Sequence, residues 1–335
     1  MKLAIDAMGG DYAPKAIVEA VNESARTNPT VTFTLFGDQT QIEAFLTPNP
    51  NIEIVHTMDK IASDAEPVKA VRRQKNASMV LAAQSVKDGE SDAFISAGNS
   101  GALLASGLLI VGRLKGIDRP ALMPIIPAFS KDHQHFILAD AGANADCKPK
   151  NLLQFAILGH CYAKQYLKIA NPRIGLINNG AEASKGNELS KEAFALLKEE
   201  KELNFIGNVE ARYLLNGVCD VAVTDGFTGN AILKTTEGTA LTLFKELKQA
   251  VLTSGTKGKL GGFLLKPALK QLASSLDYQK GGGALLLGLK APVIKTHGSA
   301  QSETVIATLE QAISIIDSHI VSSVEEALTV ANSSI

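Results

Sequence analysis

Most of the reactive side chains in this sequence collect in six short polar loops, each following an apolar, strand-like run. The loops are Asp6-Ala7-Met8-Gly9-Gly10-Asp11, Ser96-Ala97-Gly98-Asn99-Ser100-Gly101, Asp140-Ala141-Gly142-Ala143-Asn144, Asn178-Asn179-Gly180 leading to Lys185-Gly186, Asp225-Gly226-Phe227-Thr228-Gly229-Asn230, and His297-Gly298-Ser299. In an open parallel sheet the carboxyl ends of the strands form one rim, and ligands bind in its crevice. Glycines there let a ligand approach the backbone, and the N–H groups at a helix start attract anions. Any one of these loops reads equally well as a tight turn or a cap. Six on one rim point to an anion-binding surface.

The familiar catalytic signatures are missing: the sequence contains no GxGxxG, no GxxxxGK[ST], no HExxH and no GxSxG. Among its six histidines, His133-Gln134-His135 has a paired spacing, which alternation on a hairpin explains. No metal and no cofactor are expected. An anion-lined rim without a Ser-His-Asp set suits a nucleophile that arrives already ionised. Phosphate is such a nucleophile, needing to be held and aimed rather than deprotonated. Its electrophile would be an activated acyl group, whose carbonyl oxygen gathers charge and needs a hydrogen-bond donor. Lys185, beside Gly186, and Asn230, at the end of a Thr/Gly loop, are the candidates for these two tasks. A solvated lysine and a helix cap are the structural alternatives. Candidate substrate contacts are Asp6, Gly9, Gly10, Asp11, Asn99, Ser100, Gly101, Asp140, Asn144, Asp225, Thr228, Gly229 and His297.

The elements that must position these loops alternate along the chain. Strands are expected over 2–5, 31–36, 52–56, 92–96, 173–177, 220–224 and 293–296, and helices over 14–26, 77–87, 102–111, 151–166, 187–202 and 300–318. This alternation predicts a three-layer α/β/α, Rossmann-like fold with a mostly parallel sheet. Residues 122–127 and 135–139, around Ser130-Lys131-Asp132-His133, read as an antiparallel hairpin inserted into it. One domain is expected over 1–335. Residues 238–280 are helical in composition, with seven lysines against Glu246 and Asp277 from Lys245 onward. They are expected to project as a helical hairpin.

Composition narrows the function further. The chain has 335 residues, 45% of them hydrophobic and 20% charged, with a formal net charge of −1. It has no Trp and only 5% aromatics. Without a basic excess or stacking platforms, nucleic acid is not an expected partner. Cys147, Cys161 and Cys219 form no CxxC pair or disulfide framework, which fits reduced thiols in the cytosol. Asp6 interrupts any N-terminal signal region, and the apolar stretch over 101–112 is too short to span a bilayer. Membrane contact, if made, is expected to be peripheral.

In order along the chain, Asp6 to Asp11 with Pro14, Glu66-Pro67-Val68 with Ala70 to Arg73, Ser96 to Asn99, Asp140 to Asn144, Lys185 to Leu189, Gly207 to Glu210, Asp225 to Asn230 with Leu233-Lys234, Gly282 to Ala284 and His297 to Ser299 resemble the bacterial phosphate acyltransferases of the PlsX family. The resemblance spans nearly the whole chain. It implies reversible conversion of an acyl carrier protein thioester and inorganic phosphate into acyl phosphate and free carrier protein. That product would feed a downstream membrane glycerol-3-phosphate acyltransferase in phospholipid synthesis. The resemblance also implies a homodimer and a fold similar to phosphotransacetylases. Lys185 and Asn230 match the family's essential Lys and Asn. Lys257, Lys259, Phe263, Lys266 and Lys270 would then meet an acidic carrier protein or an anionic membrane, although the neighbouring leucines suit a dimer interface equally. Ser100 and Asn179 depart from the family's commoner Thr and apolar residue. Alternative functions are a phosphotransacetylase using short-chain coenzyme A thioesters, a non-catalytic regulator on the same fold, and a dehydrogenase.

Overall fold

Short β-branched runs flanked by amphipathic helices become twelve strands in a computed structural model, which describes residues 1–131, 133–276 and 282–333. Asp132, Asp277 and Lys280 of the sequence expectations lie outside the described residues. The strands are β1 (Lys2–Asp6), β2 (Thr32–Gly37), β3 (Ile52–His56), β4 (Ala93–Ser96), β5 (Ala121–Met123), β6 (Ile125–Pro127), β7 (His135–Ala139), β8 (Arg173–Asn178), β9 (Asn204–Glu210), β10 (Val221–Val223), β11 (Ala284–Leu287) and β12 (Val293–Lys295). They form a seven-stranded sheet in the order β3-β2-β1-β4-β12-β11-β5 and a five-stranded sheet in the order β6-β7-β10-β8-β9. Both are mostly parallel; β11 runs antiparallel to β12 and β5, and β6 antiparallel to β7.

The α/β architecture is the expected one, and the expected antiparallel pair is present as β6 and β7, but the strands form two sheets rather than one. The run over 122–127 divides at Pro124, which has no N–H to give to a ladder. The residues before Pro124 join the first sheet as β5, and those after it pair with β7 in the second. The helix Pro149–Gln165 lies against β5, β7 and β10, and so braces both sheets. Its Phe155 and Tyr162 are fully buried, each contributing about 1.5–3 kcal/mol of apolar burial. The Tyr162 hydroxyl accepts from Gln311 Nε2 at 2.9 Å. The same Gln311 takes the Gly283 amide at 2.7 Å and donates to the Gly283 carbonyl at 3.0 Å. A buried polar side chain thus pins a residue of the site to the core.

Several elements differ from the sequence expectations. β9, β11 and the helices Pro67–Arg73 and Ile320–Ser333 are additional. The helix expected over 102–111 is the α-helix Ser100–Ser106 continued by a π-helical turn, Gly107–Val111. The projecting segment begins at the rim rather than at 238, because Gly226–Thr253 is one continuous helix. It is followed by the helix Gly255–Leu276. The two pack on each other and leave Leu241, Leu243, Leu260, Phe263 and Leu264 exposed. No single helix among the described residues is long and apolar enough to cross a membrane.

Candidate active site

The first half of the site forms where the chain leaves β1 for its neighbour β2 on one side and β4 for β5 at the opposite edge of the sheet, a switch point at which α/β sheets bind ligands. Asp6 ends β1 opposite Ser96 at the end of β4. Its buried carboxylate accepts from Ser78 Oγ at 2.6 Å, the Met8 amide at 3.2 Å and Ser96 Oγ at 2.6 Å. Burial pushes this carboxyl above the ordinary range, against those donors. Asp6 therefore ties β1, β4 and the helix Ser78–Lys87 together and has no oxygen to spare for a ligand. Beside it the two loops pack backbone on backbone: a Cβ on Gly9 would lie 2.6 Å from the Gly98 nitrogen and 2.5 Å from Asp6 Oδ2. Gly9, Gly10, Asp11, Gly98 and Ser100 surround a cleft of about 330 Å³, with Lys60 and Ser63 across from them. Asn99 holds that far wall. Its Oδ1 caps the helix Ser100–Ser106 through the Ala102 amide, and its Nδ2 donates to the Ala62, Ser63 and Ala65 carbonyls.

The second half forms around Asp140, at the end of β7. Asp140 Oδ1 accepts from the amides of Leu122, Gly142 and Ala143, and Oδ2 from the Asn144 amide and Nδ2. Asn144 also donates to the Pro120 carbonyl at 2.8 Å. These two residues are likewise scaffold: both Asp140 oxygens and the Asn144 Nδ2 are spent on holding the loop. Asp225 caps the helix Gly226–Thr253 by accepting from the Thr228 amide and hydroxyl, both at 2.8 Å. The helix can start here because Gly229 carries no side chain; a Cβ would collide with the Asp140 carbonyl oxygen. Asn230 is thus a residue of the first helical turns rather than a loop end or the cap. It stands over Gly142, its side chain about 3.5 Å from where a Gly142 Cβ would be.

From there Asn230 lines a cavity of about 260 Å³ with the polar Ser100, Lys234, Lys295, Thr296 and His297 and the apolar Leu104, Leu122, Pro124 and Leu233. The neighbouring helix side chains pair as Thr228 with Asp225 and Lys234 with Glu237, which leaves the Asn230 amide to the cavity. His297 Nδ1 accepts from the Ser299 amide at 3.2 Å and lies 2.8 Å from Ser299 Oγ. That assigns its ring proton to Nε2. Burial, reinforced by Lys234 and Lys295, pushes its pKa below the ordinary value, so the ring is a neutral donor. Gly101 lies in the first turn of the helix Ser100–Ser106, packed toward Pro67 and off the cavity lining.

Of the sequence candidates, the structure therefore brings Gly9, Gly10, Asp11, Ser100, Asn230 and His297 to the clefts. Asp6, Asp140, Asn144, Asp225, Thr228 and Gly229 serve instead to shape the rim. Lys185 is not gathered with them: it is exposed in the loop after β8, which Asn178 holds by donating to the Lys185 carbonyl at 3.1 Å. Lys295, Thr296, Lys234 and Lys60 are lining residues that sequence reasoning missed as a site. The signal for Lys295 was its place in Val293-Ile294-Lys295-Thr296, since a lysine in an apolar strand run is rarely there for packing. Cys147 lies near the rim, but burial raises its thiol to about 11, which argues against a thiolate nucleophile. Among the described residues no three His, Cys, Asp or Glu side chains gather as metal ligands. Lys257, Lys259, Phe263, Lys266 and Lys270 are all exposed on the helix Gly255–Leu276.

The fold is that of the α/β phosphotransacylases. A phosphotransacetylase from Streptococcus pyogenes matches with a TM-score of 0.60 and 15% identity, over 95% of this chain and 94% of that one. The EutD phosphotransacetylase from Staphylococcus aureus matches with 0.57 and 16%, over 94% of each. At such identity the likeness is one of fold alone. In sequence, a family model described as "Fatty acid synthesis protein" matches residues 1–323. A phosphate acyltransferase of Enterococcus faecalis is 54% identical over 321 residues, 96% of each chain. One from Streptococcus agalactiae is 53% identical over 328 residues, 98% of this chain and 99% of the relative. The chain belongs to this family and is an enzyme, a phosphate acyltransferase.

Proposed function

We propose that the enzyme reversibly transfers a fatty acyl group from an acyl carrier protein thioester to inorganic phosphate, and that the acyl phosphate serves phospholipid synthesis through a downstream membrane glycerol-3-phosphate acyltransferase. The observation that carries this reading is the rim cavity in which the Asn230 amide meets Lys234, Lys295 and neutral His297 against a wall of leucines. A phosphate oxygen attacks the thioester carbonyl carbon, and the carbonyl electrons move onto oxygen. Asn230 Nδ2–H donates to that oxyanion. Collapse breaks the C–S bond and expels the thiolate, a tolerable leaving group since a thiol ionises near pH ~8.5. Lys185, exposed on the adjoining loop, supplies positive charge to the thiolate or the phosphate. No acyl-enzyme is required.

The test follows acyl phosphate formation from a long-chain acyl carrier protein thioester, with wild type beside Lys185→Ala. Phosphate-dependent turnover, reduced about 100-fold or more in the variant with folding intact, is expected. Turnover with acetyl-coenzyme A but not with the carrier thioester would replace this reading with a short-acyl phosphotransacetylase. An acylated protein trapped from donor alone would sink direct attack.

The exposed Lys/Leu hairpin supports a carrier-docking role. Phe263 is 73% and Leu241 75% exposed, an apolar face too large to be left bare in water. We assign it to a homodimer interface with peripheral membrane contact, and the lysines to steering the acidic carrier. Lys257→Glu with Lys259→Glu is expected to raise KM for the carrier thioester about tenfold at low salt, with the difference shrinking as salt screens it. An unchanged KM at all salt concentrations would rule the docking role out.

A further inference from the structure

Two clefts meet at the rim, and the residues common to both are Ser100, Lys295 and Gly298. Their outer walls differ in chemistry. One has Gly9, Gly10, Lys60, Ser63, Gly98 and Asn99, polar apart from Met8, Ile61 and two alanines. The other has Leu104, Leu122, Pro124, Leu233 and Ala284 together with Asn230. We propose that these clefts divide the two substrates: the Gly9–Gly10 cleft takes the inorganic phosphate, the leucine-walled cavity takes the acyl end of the thioester, and Lys295 grips the phosphate at their junction. This assignment rests on the acyl transfer to phosphate set out above.

Three observations converge on the junction. First, Lys295 Nζ donates to the carbonyl oxygens of Ala97 and Thr296, so an ammonium with three protons has one left over. Both partners are neutral, and no carboxylate among the described residues lies within ion-pair distance of Nζ; Asp6 and Asp11 act on it only from farther off, so it has no direct counter-ion to offset its desolvation. A bound oxyanion supplies it. Second, Thr296, next to Lys295, is 1% exposed and lines the leucine-walled cavity but not the Gly9–Gly10 cleft, and its Oγ1 has no hydrogen-bond partner among the described residues, so it calls for a ligand oxygen on the acyl side of the junction. Leaving a buried hydroxyl unsatisfied is unfavourable, and a ligand oxygen in the cavity removes that penalty. Third, the Gly9 and Gly10 amides donate to no protein acceptor among the described residues, while their neighbours Met8 and Asp11 do.

The charges facing Lys295 come from every element packed there. Asp6 on β1 has its oxygens occupied, and Asp11 stands exposed at the lip. Lys234 on the long helix is paired with Glu237 at 2.8 Å. His297 is neutral, and Lys60 is exposed across the cleft. Burial, with Lys234 assisting and Asp6 and Asp11 opposing, brings Lys295 down to about 8. A lysine lowered in this way is charged below that pH and neutral above it. Anion affinity is therefore full below about pH 8 and falls as the pH rises through it.

The test uses sulfate, a dianion across this range, as the probe in calorimetry on the full chain, beside steady-state kinetics for both substrates. In wild type the sulfate affinity is expected to fall at least tenfold as pH rises past about 8. Lys295→Met should abolish sulfate binding and Lys295→Arg should restore part of it. Because Lys295 is only partly exposed, two variants nearer the surface guard against misfolding. Lys60→Ala should raise KM for phosphate several-fold and leave KM for the acyl donor unchanged, whereas Leu104→Phe should do the reverse. Sulfate binding that survives Lys295→Met, or a Lys60→Ala effect on the acyl donor alone, overturns the assignment. Calorimetry needs no turnover, so Lys295-dependent sulfate binding would support the anion site even if no acyl donor reacted. Turnover with a sulfate site indifferent to Lys295 would refute it while leaving the acyltransferase reading intact.

Discussion

Asn230→Ala is expected to lower kcat about 10²–10³-fold, the loss typical of removing one oxyanion donor, with little change in melting temperature. The side chain is exposed to the cavity, and the helix bonds around it run between Asp225, Thr228, Lys234 and Glu237, so truncation breaks no side-chain hydrogen bond among the described residues. What it removes is an amide held by the close seating of the Gly226–Thr253 helix on Asp140. A donor fixed in this way loses little orientational freedom when charge develops, which is why it acts on kcat rather than on KM. Asn230→Asp separates donor from shape: it has similar size but cannot donate when ionised, and should be at least as damaging as alanine. Stopped-flow or steady-state release of free carrier thiol would measure both variants. A kcat within about threefold of wild type in the alanine variant would exclude oxyanion donation by this residue.

The second large effect is on stability. Asp140 accepts five hydrogen bonds from Leu122, Gly142, Ala143 and Asn144 while 0% exposed. Asp140→Ala leaves the buried Asn144 amide and Nδ2 without an acceptor, at about 1–3 kcal/mol each before relaxation, while the more exposed Leu122, Gly142 and Ala143 amides can turn to water at smaller cost. Together the two Asn144 donors account for about 2–6 kcal/mol, a large share of a total stability on the order of 5–15 kcal/mol. The urea midpoint should fall sharply. Activity should fall with it, because the loop under Asn230 and the ledge beside Gly229 are shaped by these same bonds. Asp140→Asn retains one acceptor oxygen and should recover part of the loss. If Asp140 were a ligand contact instead, alanine would raise a KM and leave the midpoint near wild type. A melting temperature lowered by less than about 2 °C would point that way.

Both predictions concern residues that the sequence marked but could not sort. The strands β1, β2, β3, β4, β8, β10 and β12 were legible because each is a short apolar run bounded by turn residues, a pattern confined to neighbouring positions. The glycine-rich rim was legible for the same reason, since each strand end and its loop are contiguous. β9 was not, because Asn204–Glu210 has no apolar alternation and is held by its pairing with β8, across a register shift. Nor was β11, whose leucines suit a helix as well as a strand until β5 and β12 flank it.

The division of the site was decided by tertiary contacts alone. Asp6 belongs to the scaffold because Ser78 and Ser96, 72 and 90 positions away, fill its oxygens. Asp11, five residues on in a loop of the same composition, faces a cleft. Lys185 and Lys295 are both lysines at the rim, but folding leaves one in solvent and draws the other, partly buried, between two clefts. Sequence by itself determined the family, the strand rhythm and the set of polar loops, because these reside in local pattern. Which polar atoms are spent on holding the loops, and which are left for a substrate, depends on partners far away in the chain. Only the packed structure brings those partners together.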